Sequence, residues 1–259
     1  MPELDLALKA ATKAGDAILQ VYETNYKTKI KGDGSPVTDA DLTSNKIIKD
    51  ILNESKHYIL SEEDNDHASR LSQQTLWVVD PLDGTADFID RTGEFTVMIG
   101  LVQDKKPILG VINWPAGKTI FAAQKGKGAF EYSNNTWNKI HTSNISDLKY
   151  SRVIASKNHL TDTEKNLINN LGVKNIDTVG SSLKIGKISS GLADIYLTLT
   201  NKMMEWDTCA SNCILNEAGG KMTDMQGNII TYNNKALHHQ NGILASNRLL
   251  HEQILKTLS

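Results

Sequence analysis

The sequence predicts an α/β chain of the α+β kind, with an antiparallel meander half followed by a half built on a mixed sheet. Three observations carry this. Residues 95–102, 108–112 and 119–123 are short apolar runs separated by turn-length segments, with no helical stretch between them. Beyond residue 150, strand-like runs alternate with helix-length amphipathic ones. Two amphipathic helical stretches precede both regions. We divide the chain into halves at 1–148 and 149–259.

Residues 4–22 carry Leu4, Leu8, Ala11, Gly15, Ile18, Val21 and Tyr22 on or near one helical stripe. Residues 29–36, with Gly32, Gly34 and Pro36, read as a loop. Thr38 then suits an N-cap, with Asp41 three residues on to complete a capping box. The helix that follows turns Ile47, Ile48, Ile51 and Leu52 inward. Asp39 and Asp41 fall in its first turn, where a negative charge is favourable in any case. Residues 58–60 form a short strand that runs into Ser61-Glu62-Glu63-Asp64. Residues 65–75 are polar loop or helix. The strand at 95–102 turns at 103–106 and returns at 108–112; another strand covers 119–123. Gly126 and Gly128 shape a turn, without the third glycine of a dinucleotide site.

Residues 134–148 are polar and read as the boundary. Strands are predicted at 152–156, 176–179, 193–199 (half-buried, by its alternation) and 243–246. Helices are predicted at 162–171, 181–190 (stopped by Gly191), 204–218 (stopped by Gly219-Gly220) and 248–258. No internal repeat or low-complexity tract interrupts the chain.

Composition narrows the function classes. The chain has 259 residues, 22% charged and 39% hydrophobic, and a net charge of −2. That balance gives no bulk attraction for a nucleic-acid polymer or an acidic membrane surface. An anionic substrate therefore needs local cations. No apolar run reaches a membrane-spanning length, and the first residues lack the basic and apolar regions of a signal peptide. Cys209 and Cys213, four apart on a helix face, read as small core residues of a protein in the reducing cytoplasm. Peripheral association with the cytoplasmic face of the inner membrane is left open, as is the oligomeric state. The histidines show no zinc spacing, and His238-His239 reads as loop.

The chemistry centres on Trp77-Val78-Val79-Asp80-Pro81-Leu82-Asp83-Gly84-Thr85. Three apolar residues read as a buried strand that ends at Asp80. Pro81 keeps Asp80 extended, and a tight bend brings Asp83 back toward it. A helix starting at Gly84-Thr85 would offer backbone N–H groups to an anion. Carboxylates for a hard cation beside an anion cradle suit metal-assisted phosphoryl chemistry. The plain alternative is a turn with a capping Asp. Asp207, in Glu205-Trp206-Asp207, stands at the mouth of a later helix and is open to the same two readings, with Trp206 as packing. Glu62, Asp80, Asp83 and Asp207 thus give four carboxylates at element ends, and Leu82 could add its carbonyl.

The segments LSEED (60–64), WVVDPLDGT (77–85) and EWDTCASNCILNEAGG (205–220) resemble the signature set of the inositol monophosphatase superfamily, in its order and spacing. The similarity runs over nearly the whole chain. Within it, RTGEFTVMIGLV (91–102), KPILGVI (106–112) and VGSSLKIGKISSGLADIY (179–196) most resemble the CysQ-type 3′(2′),5′-bisphosphate nucleotidase branch. Ala86-Asp87 departs from the Lys-Glu frequent in that branch.

The resemblance implies a layered α-β-α-β-α sandwich acting as one catalytic unit, with its site between the halves. It implies two or three Mg²⁺ ions: Glu62 on the first, Asp80 bridging, the Leu82 carbonyl on the first, and Asp83 and Asp207 on the second. Gly84 and Thr85 N–H groups would hold phosphate oxygens. Asp41 would accept a hydrogen bond from Thr85 and, with Glu62, serve the attack of water. Glu62, Leu82, Asp83, Gly84, Thr85 and Asp207 would all border the substrate. Ser181, Ser182 and Lys184 could contact it or could only cap and solvate their helix.

The expected reaction is in-line hydrolysis of the 3′-phosphate of adenosine 3′,5′-bisphosphate to AMP by metal-activated water, with the 5′-phosphosulfate analogue as a further substrate. This implies a small anionic nucleotide as partner, a place in sulfur metabolism and sensitivity to Li⁺. The alternative is an inositol or sugar phosphatase with the same metal site. A non-catalytic binding protein would have no need of the Asp41–Thr85 pair.

Overall fold

The computed structural model describes residues 2–24, 26–32 and 34–258; Met1, and Asp33 within the expected 29–36 loop, lie outside them. The chain opens with helix α1 (Pro2–Tyr22). A small hairpin follows, β1 (Thr28–Ile30) and β2 (Pro36–Thr38), paired antiparallel with each other alone. Strand pairing at both ends of the expected 29–36 loop confines the turn to its middle. Helix α2 (Asp39–Leu52) starts at Thr38, whose side chain accepts from Ala40 N–H while Asp41 accepts from Thr38 N–H. The capping box read from the sequence is therefore present.

The first large sheet has seven strands in sequence order. They are β3 (Tyr58–Ser61), β4 (Thr75–Asp83), β5 (Thr96–Gln103), β6 (Lys106–Trp114), β7 (Thr119–Gln124), β8 (Gly128–Ser133) and β9 (Thr136–Ile140). All neighbours are antiparallel except β3 and β4, which are parallel. The expected meander thus has one parallel edge, because β3 returns through the short 3₁₀ segment Ala68–Ser72 rather than a hairpin. The region 134–148, expected to be boundary, supplies β9. Its first four residues are exposed, so it carries no alternating apolar signal.

The two faces of this sheet differ residue by residue, as the pleat requires. Trp77, Val79, Val97, Ile99, Leu109 and Val111 point to α1 and α2, joining Ala7, Ala14, Ile18 and Ile48. Leu76, Val78, Met98, Val102 and Ile112 point to the other face. That face meets α5 (Leu183–Ser189) and α6 (Glu205–Glu217). Gly110 permits the close packing of α6: a Cβ there would lie 2.3 Å from the Ala210 carbonyl oxygen.

The second sheet has the order β11–β10–β12–β14–β13, from β10 (Arg152–Ser156), β11 (Asn175–Val179), β12 (Ile195–Thr198), β13 (Lys221–Thr223) and β14 (Ile243–Ser246). It is mixed, parallel on the β11–β10–β12 side and antiparallel beyond. Its outer face is covered by α4 (Asp162–Asn170) and α7 (His251–Leu258), through Val153, Ile168, Leu197, Leu244 and Ile254. The result is the α-β-α-β-α sandwich. β12 is buried on both sides, not half-buried, because it runs in mid-sheet between two helical layers.

Candidate active site

Residue Asp80 lies inside β4, not at its end. The strand continues through Pro81 and Leu82 to Asp83, with a register shift against β5 between Asp80 and Asp83. Proline has no N–H to give the ladder, and a bulge there turns successive acids to a common side. Asp80 Oδ1 accepts from Leu82 N–H at 3.0 Å, and Ser44 Oγ donates to the Pro81 carbonyl at 2.6 Å. Gly84 then takes φ of +89°, hemmed by the Glu94 carbonyl and Ser181, and α3 (Thr85–Ile89) begins. The N–H groups of Gly84 and Thr85 stand at the start of α3, where the first amides of a helix have no intrahelical acceptor.

Each of the three aspartates has one carboxylate oxygen held by a backbone N–H. Asp80 is held by Leu82, Asp83 by Ser182 and Asp207 by Met204. Thr96 Oγ1 also lies 3.4 Å from Asp83 Oδ2 and 2.7 Å from Ser182 Oγ. Asp80 is also in hydrogen-bond contact with the Glu62 side chain, and Asp83 with that of Ser182, so the acids form one linked group. Glu62 reaches the group from the end of β3, where its N–H pairs with the Val79 carbonyl at 3.1 Å.

The electrostatics show what this arrangement lacks. Asp80 is held well above the usual carboxylate range by burial and then by the charges of Glu62, Asp83 and Asp207. Asp207 is likewise pushed well up by burial and by Asp83. Asp83 is also raised by burial, against the pull of the Lys184 charge and the Ser182 N–H. Buried like charges of this kind are stable when neutralised by protons or by a cation.

Two lysines supply part of the balance. Lys31 Nζ, at the end of β1, donates to Glu62 Oε1 at 2.7 Å and Glu63 Oε1 at 2.6 Å. Lys184 is buried in α5, bonded to the Ser181 carbonyl and 5.4 Å from the Tyr196 ring. Among the described residues no three Asp, Glu, His or Cys side chains form a closed ion-binding set. The all-oxygen donors nevertheless fit a hard divalent cation, and an ammonium already stands against one of them.

Asp41 Oδ1 accepts from Thr85 Oγ1 at 3.1 Å, while Oδ2 caps α2 through Thr38. The capping and pairing readings of Asp41 therefore both describe it. Burial raises its pKa despite the bonds from Thr38 and Thr85. Ser182 is engaged with Asp83 and Thr96. Lys184 spends one of its three N–H donors on the Ser181 carbonyl. Asp87, in the Ala86-Asp87 departure, accepts from Asn158 and Thr92.

The sequence reading missed Lys31, Ser44 and Thr96, whose partners are all remote in sequence. His238 and His239, expected in a plain loop, brace the start of α6: His238 bridges Met204, and His239 Nε2 meets Thr208 Oγ1 at 2.8 Å. Burial and the His238 charge push the His239 pKa down to about 4. Cys209 and Cys213 are free and buried.

Comparison with known proteins decides the family, since residues 2–259 match the inositol monophosphatase family as a whole. The chain belongs to the inositol monophosphatase family. Among its relatives is the 3′(2′),5′-bisphosphate nucleotidase CysQ of Escherichia coli K12, 36% identical over 88% of this chain and 93% of that protein. The solved structure of CysQ from Bacteroides thetaiotaomicron, described as a bacterial inositol monophosphatase family member, has a TM-score of 0.81 at 35% identity. It covers 95% of this chain and 97% of its own. The extragenic suppressor protein suhB of Bartonella henselae superposes at 0.86 with 26% identity, over 100% of this chain and 99% of its own. Shape alone does not rank these branches of the family in the same order as sequence.

Proposed function

We propose that this phosphatase is a 3′(2′),5′-bisphosphate nucleotidase that hydrolyses the 3′-phosphate of adenosine 3′,5′-bisphosphate to AMP and phosphate, with Mg²⁺ as cofactor. It would also take the corresponding phosphosulfate. The observation that carries this is sequence identity: 36% to a CysQ nucleotidase over most of both chains, against 26% to the suppressor protein that superposes better. Its setting is the reducing cytoplasm, in keeping with the two buried free thiols, and in sulfur metabolism. Inhibition by Li⁺ belongs to the same reading.

In this reading Glu62, Asp80 and the Leu82 carbonyl would hold one ion, and Asp80, Asp83 and Asp207 a second. Such ions, when bound, would supply charge neutralisation and a more acidic water. The chain's own residues do the rest. Thr85 Oγ1 spends its proton on Asp41, so its lone pairs face outward and accept from the attacking water. Asp41, with its pKa raised by burial, is a fitting acceptor for the proton that the pair removes. Gly84 and Thr85 N–H groups bind the phosphate oxygens on which charge builds. Ser181, Ser182 and Lys184 border the same space, with Lys184 as a candidate for the second phosphate.

The test is kcat/KM measured side by side for adenosine 3′,5′-bisphosphate, 3′-AMP, inositol 1-phosphate and fructose 1,6-bisphosphate at one Mg²⁺ concentration. The bisphosphate should win, and loss of its 5′-phosphate should lower kcat/KM. If inositol 1-phosphate wins, the branch is wrong and the inositol or sugar phosphatase reading stands in its place.

A further inference from the structure

Two ionisable side chains outside the acidic cluster, Arg70 and Glu205, are each only 1% exposed. Asn233 joins them. Arg70 Nη1 donates to Asn233 Oδ1 at 3.0 Å, and Asn233 Nδ2 donates back to the Arg70 carbonyl at 2.9 Å. The backbone N–H of Asn233 donates to Glu205 Oε2 at 2.6 Å. Glu205 Oε1 accepts from the Asn234 backbone N–H at 2.9 Å and from its side-chain amide at 3.0 Å. Asp66 holds the other edge of the guanidinium, at 2.6 Å from Nε and 3.1 Å from Nη2. Asn233 has φ of +59°, in the left-handed region that asparagine tolerates better than most residues.

Arg70 lies in the 3₁₀ segment between β3 and β4, beyond Glu62. Glu205 and Asp207 are the first and third residues of α6. At about 3.6 residues per turn, residues two apart stand on opposite sides of a helix. Asp207 turns toward Asp83 and Glu62. Glu205 turns the other way, and its N–H donates to the Leu237 carbonyl at 2.8 Å. The bonds through Asn233 therefore tie the start of α6 to the β3–β4 connection. Burying an arginine and a glutamate is costly, and apolar side chains would hold two segments together as well. What directional bonds add is placement. Ligands to one ion must be held to within about 0.5 Å. Glu62 leaves β3 and Asp207 opens α6, so no strand pairing sets one against the other.

We propose that Arg70, Asn233 and Glu205 are positioning residues: a buried strap that fixes the first turn of α6 and so sets Asp207 in place for the ion it shares with Asp80 and Asp83. This rests on the two-ion reading above. The strap acts through Asp207 and not on the substrate, so its loss should weaken ion binding and leave KM as it was.

The experiment is calorimetric titration of the full chain with Mg²⁺ alone, for wild type, Asn233→Gly, Glu205→Gln, the double variant and Asn247→Ala. Glycine suits the left-handed backbone at 233, so Asn233→Gly removes only the bonds to Arg70 and Gln73. Glu205→Gln keeps the volume but sets an amide against the donors of Asn233 and Asn234. Asn247→Ala is the control for stability alone. Asn247 is as deeply buried, follows β14, and bonds to Ser143, Ile145 and Leu250. Melts in chelator give the stability of each variant. Rates at saturating Mg²⁺ give kcat and KM for the preferred substrate of the panel above. Residues that hold a metal ligand in place are worth about tenfold or more in affinity. Each strap variant should therefore bind Mg²⁺ about tenfold more weakly, with KM unchanged. The double variant should be little weaker than the weaker single one, since both break one strap. Asn247→Ala should melt lower yet bind Mg²⁺ as wild type does.

Wild-type affinity in a folded Asn233→Gly, whatever its melting temperature, overturns the proposal. So does equal weakening in Asn247→Ala, which would be general loosening. Additive losses in the double variant, or a rise in KM alone, overturn it too. Should Glu205→Gln not fold, Asn233→Gly decides by itself. Failure of the wild type to bind Mg²⁺ would instead bring down the two-ion reading, and this inference with it.

Discussion

Lys31 and Lys184 border the same acidic group, and they differ in burial and in partners. Lys31 follows the exposed strand β1 and makes two direct ion pairs. Burial works against its charge, but Glu62 and Glu63 outweigh that and hold its pKa above the ordinary lysine value. Lys184 lies in the layer between the sheets. Burial lowers its pKa although Asp83, Asp87, Asp207 and Glu94 all pull the other way. An ion pair near solvent is cheap to exchange, whereas a buried charge is bound to its surroundings by the cost of leaving them uncompensated. The site thus has one lysine near solvent and one buried, and no described bond of either reaches Asp80.

The largest effect should come from that unpaired acid. Asp80→Asn keeps the shape and removes the charge, so Mg²⁺ binding and turnover should both fall, the latter by at least about a thousandfold. Calorimetry and initial rates check this, with melts to show the fold intact. A folded Asp80→Asn enzyme with full activity would break the comparison at its centre.

Asp41 sharpens the contrast from outside, since a backbone N–H and two hydroxyls, and not a lysine, are its partners. Thr85→Ala and Asp41→Asn should each lower kcat by roughly a hundredfold or more, within the span of a general base, with little change in KM. The double variant should lose little more than either single one, because the two act as a unit. Additive losses, or a change confined to KM, would show that the pair does not handle the proton.

Lys184→Met tests permanence. Removing a nine-tenths buried counter-charge should cost about 3 kcal/mol of stability at neutral pH. The loss should shrink in acid, where Asp83 and Asp207 take up protons. Urea unfolding at several pH values in chelator measures it. A loss no larger than that of Lys31→Gln would erase the distinction between the lysines.

The smallest effect is in pH. Asp80 and Asp207 have folded-state pKa values raised above the ordinary 3.8. The folded protein therefore binds more protons than the unfolded chain, and their contribution is present below that value and lost as pH rises through the raised ones. Mg²⁺ needs the deprotonated acids. The rise in melting temperature on adding Mg²⁺ should accordingly be larger near about pH 8 than near about pH 5. An increment independent of pH would count against charge repair as what the ion does.

What the chain determined by itself is local. The Thr38–Asp41 box and the ends of the helices at Gly191 and Gly219 were legible because each is settled by a few neighbouring residues. The buried strands were legible from apolar runs, and Glu62, Asp83 and Asp207 from their places at element ends, whereas Asp80 lies inside its strand. Exposed β9, the bulge that carries β4 past Asp80, and the parallel β3–β4 edge were not, since each depends on a partner strand that the local sequence does not name. The cluster itself is the clearest case. Glu62 and Asp80 come from neighbouring strands, but Asp207 comes from a helix more than a hundred residues later, and the cation on Glu62 from a hairpin before them all. Charges meet through space at a few ångströms, and only the stacking of two sheets about α5 and α6 decides which do.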